Sequence, residues 1–127
     1  MIVSAGNQET FVFAKSIGVG LVNSAINLTK ICLFDRPEFI LFIGSAGSYG
    51  NHKIFDIVES KNSSNIELSF LENFSYTPID NAVRIDTNLT KSEVVVNSSN
   101  YISTNQTLSK EFLQYNVELE NMEFSSI

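Results

Sequence analysis

Phe39-Ile40-Leu41-Phe42-Ile43 is an unbroken apolar run that ends in Gly44-Ser45-Ala46-Gly47. A strand with one wet face alternates apolar and polar residues, so a run without alternation marks a strand covered on both faces, as in parallel sheets. Upstream the period changes. Leu21, Val22, Ala25, Ile26, Leu28, Thr29, Cys32 and Leu33 recur at three- and four-residue spacing, which places a wide apolar stripe on one helix face. Asp35-Arg36-Pro37 ends that helix, because proline disfavours helical geometry in the residue before it. Met1–Ala5 and Phe11–Ile17 read as strands, and Gly18-Val19-Gly20 turns the second into the helix. Strand, helix and buried strand make a βαβ unit with a right-handed crossover. The prediction is an α/β fold with a mixed, largely parallel central sheet flanked by helices.

The second half is richer in strand signals. Ile54–Glu59 and Asn65–Phe70 read as strands, the latter with Ile66, Leu68 and Phe70 on one face. Val83–Ile85 reads as an edge strand, and the β-branched run Glu93–Asn97 as a central one. Ser103-Thr104-Asn105 offers helix caps before Leu108, Phe112 and Leu113, with that helix ending near Tyr115. Val117–Leu119 reads as a strand, and a helix starts at Glu120 and stops almost at once. The expectation is one domain over residues 1–127 that is partial, incomplete at its C-terminus.

Composition excludes several classes. With 14 acidic and 8 basic residues the net charge is −6, and no basic stripe exists to track a phosphodiester backbone, so nucleic acid is not an expected partner. Cys32 is the single cysteine and His52 the single histidine, so neither an intrachain disulfide nor a Cys/His metal site is expected. Cys32, within the helical stripe, reads as core packing. No stretch approaches the ~20 apolar residues of a bilayer span, and Met1–Asn7 lacks the features of a signal peptide. The expected location is the cytoplasm, without membrane association, and the Asn-x-Ser/Thr triplets are then compositional.

Ligands of open α/β sheets collect beyond the carboxyl ends of strands. Three loops qualify. Ser16-Ile17-Gly18-Val19-Gly20 has Asn23 where a dinucleotide fingerprint needs a third glycine. Gly44-Ser45-Ala46-Gly47 lets backbone approach a ligand closely, and Ser45 adds a hydroxyl with no histidine tethered beside it. Asn97–Tyr101 with Glu118-Leu119-Glu120 offers an aromatic to stack on a base and a carboxylate to bridge vicinal hydroxyls; taken separately it reads better as a core tyrosine and a solvated acidic turn.

In order along the chain, these motifs resemble the nucleoside phosphorylase/nucleosidase superfamily, above all the methylthioadenosine/S-adenosylhomocysteine nucleosidases and purine-nucleoside phosphorylases. Ile17–Ala25 is similar to that family's Gly-Ile-Gly-Lys-Val-Asn-Ala-Ala turn and helix, Gly44–Gly47 to its Gly-Ser-Ala-Gly, Asp56-Ile57-Val58 to its Gly-Asp-Ile-Val, and Val117–Glu120 to its Val-Glu-Met-Glu. The resemblance implies a nucleoside phosphorylase-like fold and cleavage of the N-glycosidic bond of purine nucleosides in salvage, by a homo-oligomer. It places Ser45 against the attacking water or phosphate, with Gly44 beside it. Glu9 takes the place of the water-activating glutamate, Tyr101 stacks on the purine, and Ile102 supplies backbone contacts. Leu119 packs under the ribose and Glu120 binds its hydroxyls.

The departures shape the expected chemistry. Phe42 stands where phosphorylases place a phosphate-binding arginine, so hydrolysis is preferred over phosphorolysis, and phosphate is a co-substrate only in the latter. The family's loop aspartate is replaced around Ser99, and the aspartate that protonates the leaving purine belongs to a later strand. Two alternatives stay open: a truncated or degenerate nucleoside-binding relative without turnover, and an unrelated α/β binding domain.

Overall fold

The computed structural model describes every residue from Met1 to Ile127, and its eight strands divide between two sheets. The first holds β1 (Ile2–Ser4), β2 (Lys15–Ser16) and β3 (Leu41–Phe42) in the order β2-β1-β3, all parallel. The second holds β4 (Gly47–Ser48), β5 (Asn62–Ser64), β6 (Ala82–Arg84), β7 (Val95–Ser98) and β8 (Leu119–Asn121) in the order β4-β8-β7-β5-β6. Its inner pairs β5–β7 and β7–β8 are parallel, and its outer pairs β4–β8 and β5–β6 are antiparallel. The fold is therefore mixed α/β, but the single largely parallel central sheet expected from the sequence is not present. The chain leaves the first sheet after Ile43, whose N–H donates to Val3 O (2.9 Å), and enters the second at Gly47. The Gly-Ser-Ala-Gly turn is thus the passage between sheets.

Helix α1 (Leu21–Phe34) forms where the periodicity places it and stops at Asp35, whose N–H donates to Ile31 O. Its buried face differs from the apolar stripe. Ser24, Leu28 and Ile31 are buried, while Val22 and Leu33 are about two-thirds exposed. Ser24 can face the sheet because its hydroxyl donates back to Gly20 O (2.7 Å), leaving no unpaired polar group on a small, close-packing side chain. Cys32 is exposed and not a core residue. Leu28 and Ile31 pack with Val3 and Ile17 under the first sheet, and Ile127 joins them.

A second core gathers Tyr49, Leu71, Phe112 and Val117, with the Tyr49 and Phe112 rings stacked at 4.5 Å and 3°. Here three expectations change. Asn65–Phe70 is not a strand; α2 (Leu68–Leu71) turns there, because burying Leu68 and Leu71 together needs an i,i+3 spacing. The neighbouring strand is Asn62-Ser63-Ser64, wholly polar and wholly buried. Ile54–Glu59 forms no strand either, and Ile54, Phe55 and Ile57 project into solvent. Asn105 caps α3 (Gln106–Ser109) by accepting from Thr107 N–H and Leu108 N–H, and a 3-10 helix continues to Tyr115. The final strand lies two residues beyond the expected Val117–Leu119, and a short 3-10 turn (Phe124–Ser126) follows it in place of a helix from Glu120.

Between the two cores runs a buried polar seam. Asn97 Oδ1 accepts from Ser64 Oγ (2.9 Å) and Ile66 N–H (2.8 Å), while Asn121 Oδ1 accepts from Ser98 Oγ (2.7 Å). Ser125 Oγ donates to Ser64 O (2.6 Å) and its N–H to Ser98 Oγ (3.0 Å). These bonds satisfy the groups that burial takes from water, and they clamp the last turn of the chain onto β5 and β7. The molecule exposes 8660 Å², against roughly 6,700 Å² expected for a folded monomer of this mass.

Candidate functional site

Four loops converge on a cavity of about 260 Å³ at the seam between the sheets. That is slightly below the ~300 Å³ at which small-molecule sites begin. The first loop leaves β1. Glu9 N–H donates to Gly6 O (2.9 Å), closing a four-residue turn that swings the Glu9 side chain back over the sheet. There its Oε1 accepts the Ser45 N–H (2.8 Å) and also the Ser45 hydroxyl. Gly44 leaves room for the approach: a Cβ at that position would lie 2.9 Å from both Glu9 Oε2 and Phe42 Cζ, so the carboxylate and the ring would have to shift.

The second loop, after β2, carries Val19 into the cavity wall and leads to Gly20 at the N-cap of α1. With φ +86 the Gly20 backbone directs its N–H to Glu123 Oε1 (3.1 Å). The positive end of the helix dipole and this N–H both favour a carboxylate there. The third loop follows β8. Asn121 Oδ1 accepts from Glu123 N–H (3.2 Å) and Phe124 N–H (3.1 Å), which turns the chain sharply and exposes Met122 and Glu123 to the cavity. The fourth, Ser99–Ser103, contributes Ile102, with Ser99 Oγ donating to Tyr101 O (2.6 Å).

Glu9, Glu120 and Glu123 all line the cavity, and no lysine, arginine or histidine does. His52 is engaged elsewhere, its Nε2 3.0 Å from Glu118 Oε2. Phe42 stacks on Phe124 with ring centroids 6.2 Å apart, outside the cavity lining. No cluster of His, Cys, Asp and Glu side chains is arranged to hold a metal ion, and no helix is long and apolar enough to cross a membrane.

The structure brings Glu9, Ser45, Ile102 and Glu120 to one cavity, with Gly44 just behind its wall, but it places Tyr101 and Leu119 outside it. Tyr101 is 81% exposed and does not line the cavity. Leu119 is buried within β8, away from the cavity. Glu120 reaches the cavity edge with both oxygens engaged: Oε2 accepts from Tyr49 OH (2.6 Å) and Oε1 from Ser103 N–H (2.8 Å). Burial, followed by the hydrogen bond to Glu120 and the charge on it, pushes the Tyr49 hydroxyl well above the ordinary tyrosine range. Sequence reasoning missed Met122 and Glu123. The nearest signal was a second hydrophobic–acid pair after Leu119-Glu120, and choosing between the two pairs, three residues apart, requires knowing that β8 runs on to Asn121.

No protein-family model matches the chain, and no curated protein matches it in sequence.

Proposed function

We propose that the cavity binds a purine nucleoside and that the chain cleaves its N-glycosidic bond with water. The observation that carries this is the placement of Glu9 against both the N–H and the hydroxyl of Ser45, in the same cavity as the buried Glu123 carboxylate. In the reaction, Glu9 takes a proton from a water positioned beside Ser45. The water oxygen bonds to C1′ as the bond from C1′ to the purine nitrogen breaks; the purine leaves with the electron pair and takes up a proton from solvent, to which Glu9 returns the proton it removed from the water. Positive charge develops on the ribose in the transition state, and the Glu9 and Glu123 carboxylates in the cavity wall favour it electrostatically. The same field repels phosphate, and Phe42 offers no cation, so water is the favoured nucleophile over phosphate. Glu123 keeps lone pairs free for the ribose hydroxyls after accepting from Gly20 and Met122 N–H groups.

On this proposal the fold is nucleoside phosphorylase-like, and the protein works in the cytoplasm as a homo-oligomer. The exposed apolar side chains of Ile54, Phe55 and Ile57 support association between copies. A second reading, nucleoside binding without turnover, is favoured by one observation: no aspartate lines the cavity to protonate the leaving base. Incubation with adenosine, inosine and methylthioadenosine, with and without phosphate, separates the two. Release of free base supports the enzyme. Thermal stabilisation by nucleoside without release supports the binder. Neither effect, in a folded protein, excludes both.

A further inference from the structure

We propose that Glu120 is a positioning residue that fixes the base-side loop of the cavity relative to its nucleophile side. This rests on the nucleoside reading for its functional meaning, and on geometry for its structural content. Glu120 is 3% exposed, and each of its carboxylate oxygens meets a donor from a different loop. Tyr49 lies at the end of the segment that begins at Gly44 and Ser45 and passes through β4. Ser103 closes the segment that carries Tyr101 and Ile102. One side chain therefore ties together the two loops that would hold the water and the purine.

The Tyr49 end of the tie is rigid. Its ring is buried and stacked flat on Phe112, and burial with the Glu120 charge holds its hydroxyl in the protonated, donating form. At the Ser103 end the side chain also approaches the Tyr49 hydroxyl, and the Asn100 backbone of the same loop bonds Glu67. The Ser103 N–H makes no other hydrogen bond, and Tyr101 and Ile102 before it are 81% and 49% exposed. A loop so exposed has little packing to set its position, so polar ties register it, and the charge-assisted bond from Ser103 N–H to Glu120 is the one adjoining Ile102. The ligand then meets Glu120 indirectly, through the loop. This differs from a carboxylate that contacts ribose, which would need free acceptor capacity facing the cavity.

The experiment compares wild type with Glu120→Gln, Glu120→Ala, Tyr49→Phe and Ser103→Ala. It reads amide hydrogen exchange over Ser99–Asn105, exchange in β7 as a measure of global stability, and titration with methylthioadenosine and inosine. A glutamine at 120 retains an acceptor for Ser103 and a partner for Tyr49. Glu120→Gln is therefore expected to keep slow exchange in the loop and nucleoside affinity near the wild-type value. Glu120→Ala is expected to speed loop exchange and weaken nucleoside binding by about tenfold or more, the scale of one hydrogen bond to a charged group. Tyr49→Phe, the milder change, is expected to speed exchange in Ser99–Asn105 without altering β7. Ser103→Ala, which removes the direct Ser103 side-chain contact with Tyr49 but keeps the N–H bond to Glu120, is expected to leave it slow; the pair decides the matter should the alanine variant at 120 not fold. Unchanged loop exchange in Tyr49→Phe and Glu120→Ala overturns the proposal. So does a Glu120→Gln variant that loses nucleoside binding with its loop exchange intact, since that places the Glu120 charge directly on the ligand. A wild-type protein that binds no nucleoside contradicts the nucleoside reading, while the exchange data still decide what Glu120 positions.

Discussion

One oxygen of the Glu9 carboxylate accepts both the N–H and the hydroxyl of Ser45, although the two residues lie 36 positions apart and on different strands' ends. The pair joins the turn after β1 to the passage between the two sheets. A water held beside Ser45 would lie within reach of a carboxylate already oriented by a backbone donor, which is the requirement for a general base. Glu9→Gln is expected to keep the Ser45 N–H bond and the fold but to lower base release by about 10²–10⁴-fold. Single-turnover assays at saturating nucleoside, with circular dichroism as the fold control, check this.

Glu123 is predicted to govern binding of the sugar. Glu123→Gln leaves an acceptor for Gly20 N–H but removes the charge that favours ribose hydroxyls as donors. Nucleoside affinity should fall by about 10-fold to 100-fold, the range of a charged hydrogen bond, whereas a free purine base should bind as it does to wild type. Calorimetric titration with inosine and with hypoxanthine reads both arms.

Much of this arrangement could be read from the chain, and the unreadable part has physical causes. Helix α1 was legible because fourteen residues of periodic apolar sequence outweigh local detail. Its buried face was not, because a back-bonded Ser24 packs inward as well as a small apolar residue would. The strand Asn62-Ser63-Ser64 carries no apolar signal, since its side chains are satisfied by partners distant in sequence, such as Asn97 and Glu93. Ser45 was legible from the glycines around it. Glu123 was hidden by a second hydrophobic–acid pair, Leu119-Glu120, and by the cap from Asn121 that only the folded turn displays.

Ser4 tests the core beneath the site. Its hydroxyl is buried in β1 and makes no hydrogen bond. An unsatisfied buried hydroxyl costs about 1–3 kcal/mol, so Ser4→Ala is expected to be neutral to stabilising, by up to about 1 kcal/mol after the small loss of packing. Urea unfolding measures it, and a clear loss of stability would show that the hydroxyl has a partner.

Stability should also carry a signature of Glu67. Burial raises its folded-state value above the ordinary 4.5, the charge on Glu120 adds to the rise, and a hydrogen bond with the Asn100 backbone opposes it. For a raised group the folded state binds more protons than the unfolded one. Its contribution to stability is fully present below the ordinary value and is lost as pH rises through the folded value. Glu67→Gln should therefore have a higher Tm than wild type at pH 7, with the difference fading as pH falls to about 4. Thermal melts across that range read the effect, and a constant difference would contradict it.

The most direct test of the account is base release from methylthioadenosine and inosine in phosphate-free buffer, comparing wild type with Glu9→Gln. The wild-type protein is expected to release free base, with ribose or its 5′-substituted form as the other product, and the variant to lose that release. Release that requires phosphate, or release that the variant sustains at the wild-type rate, would contradict it.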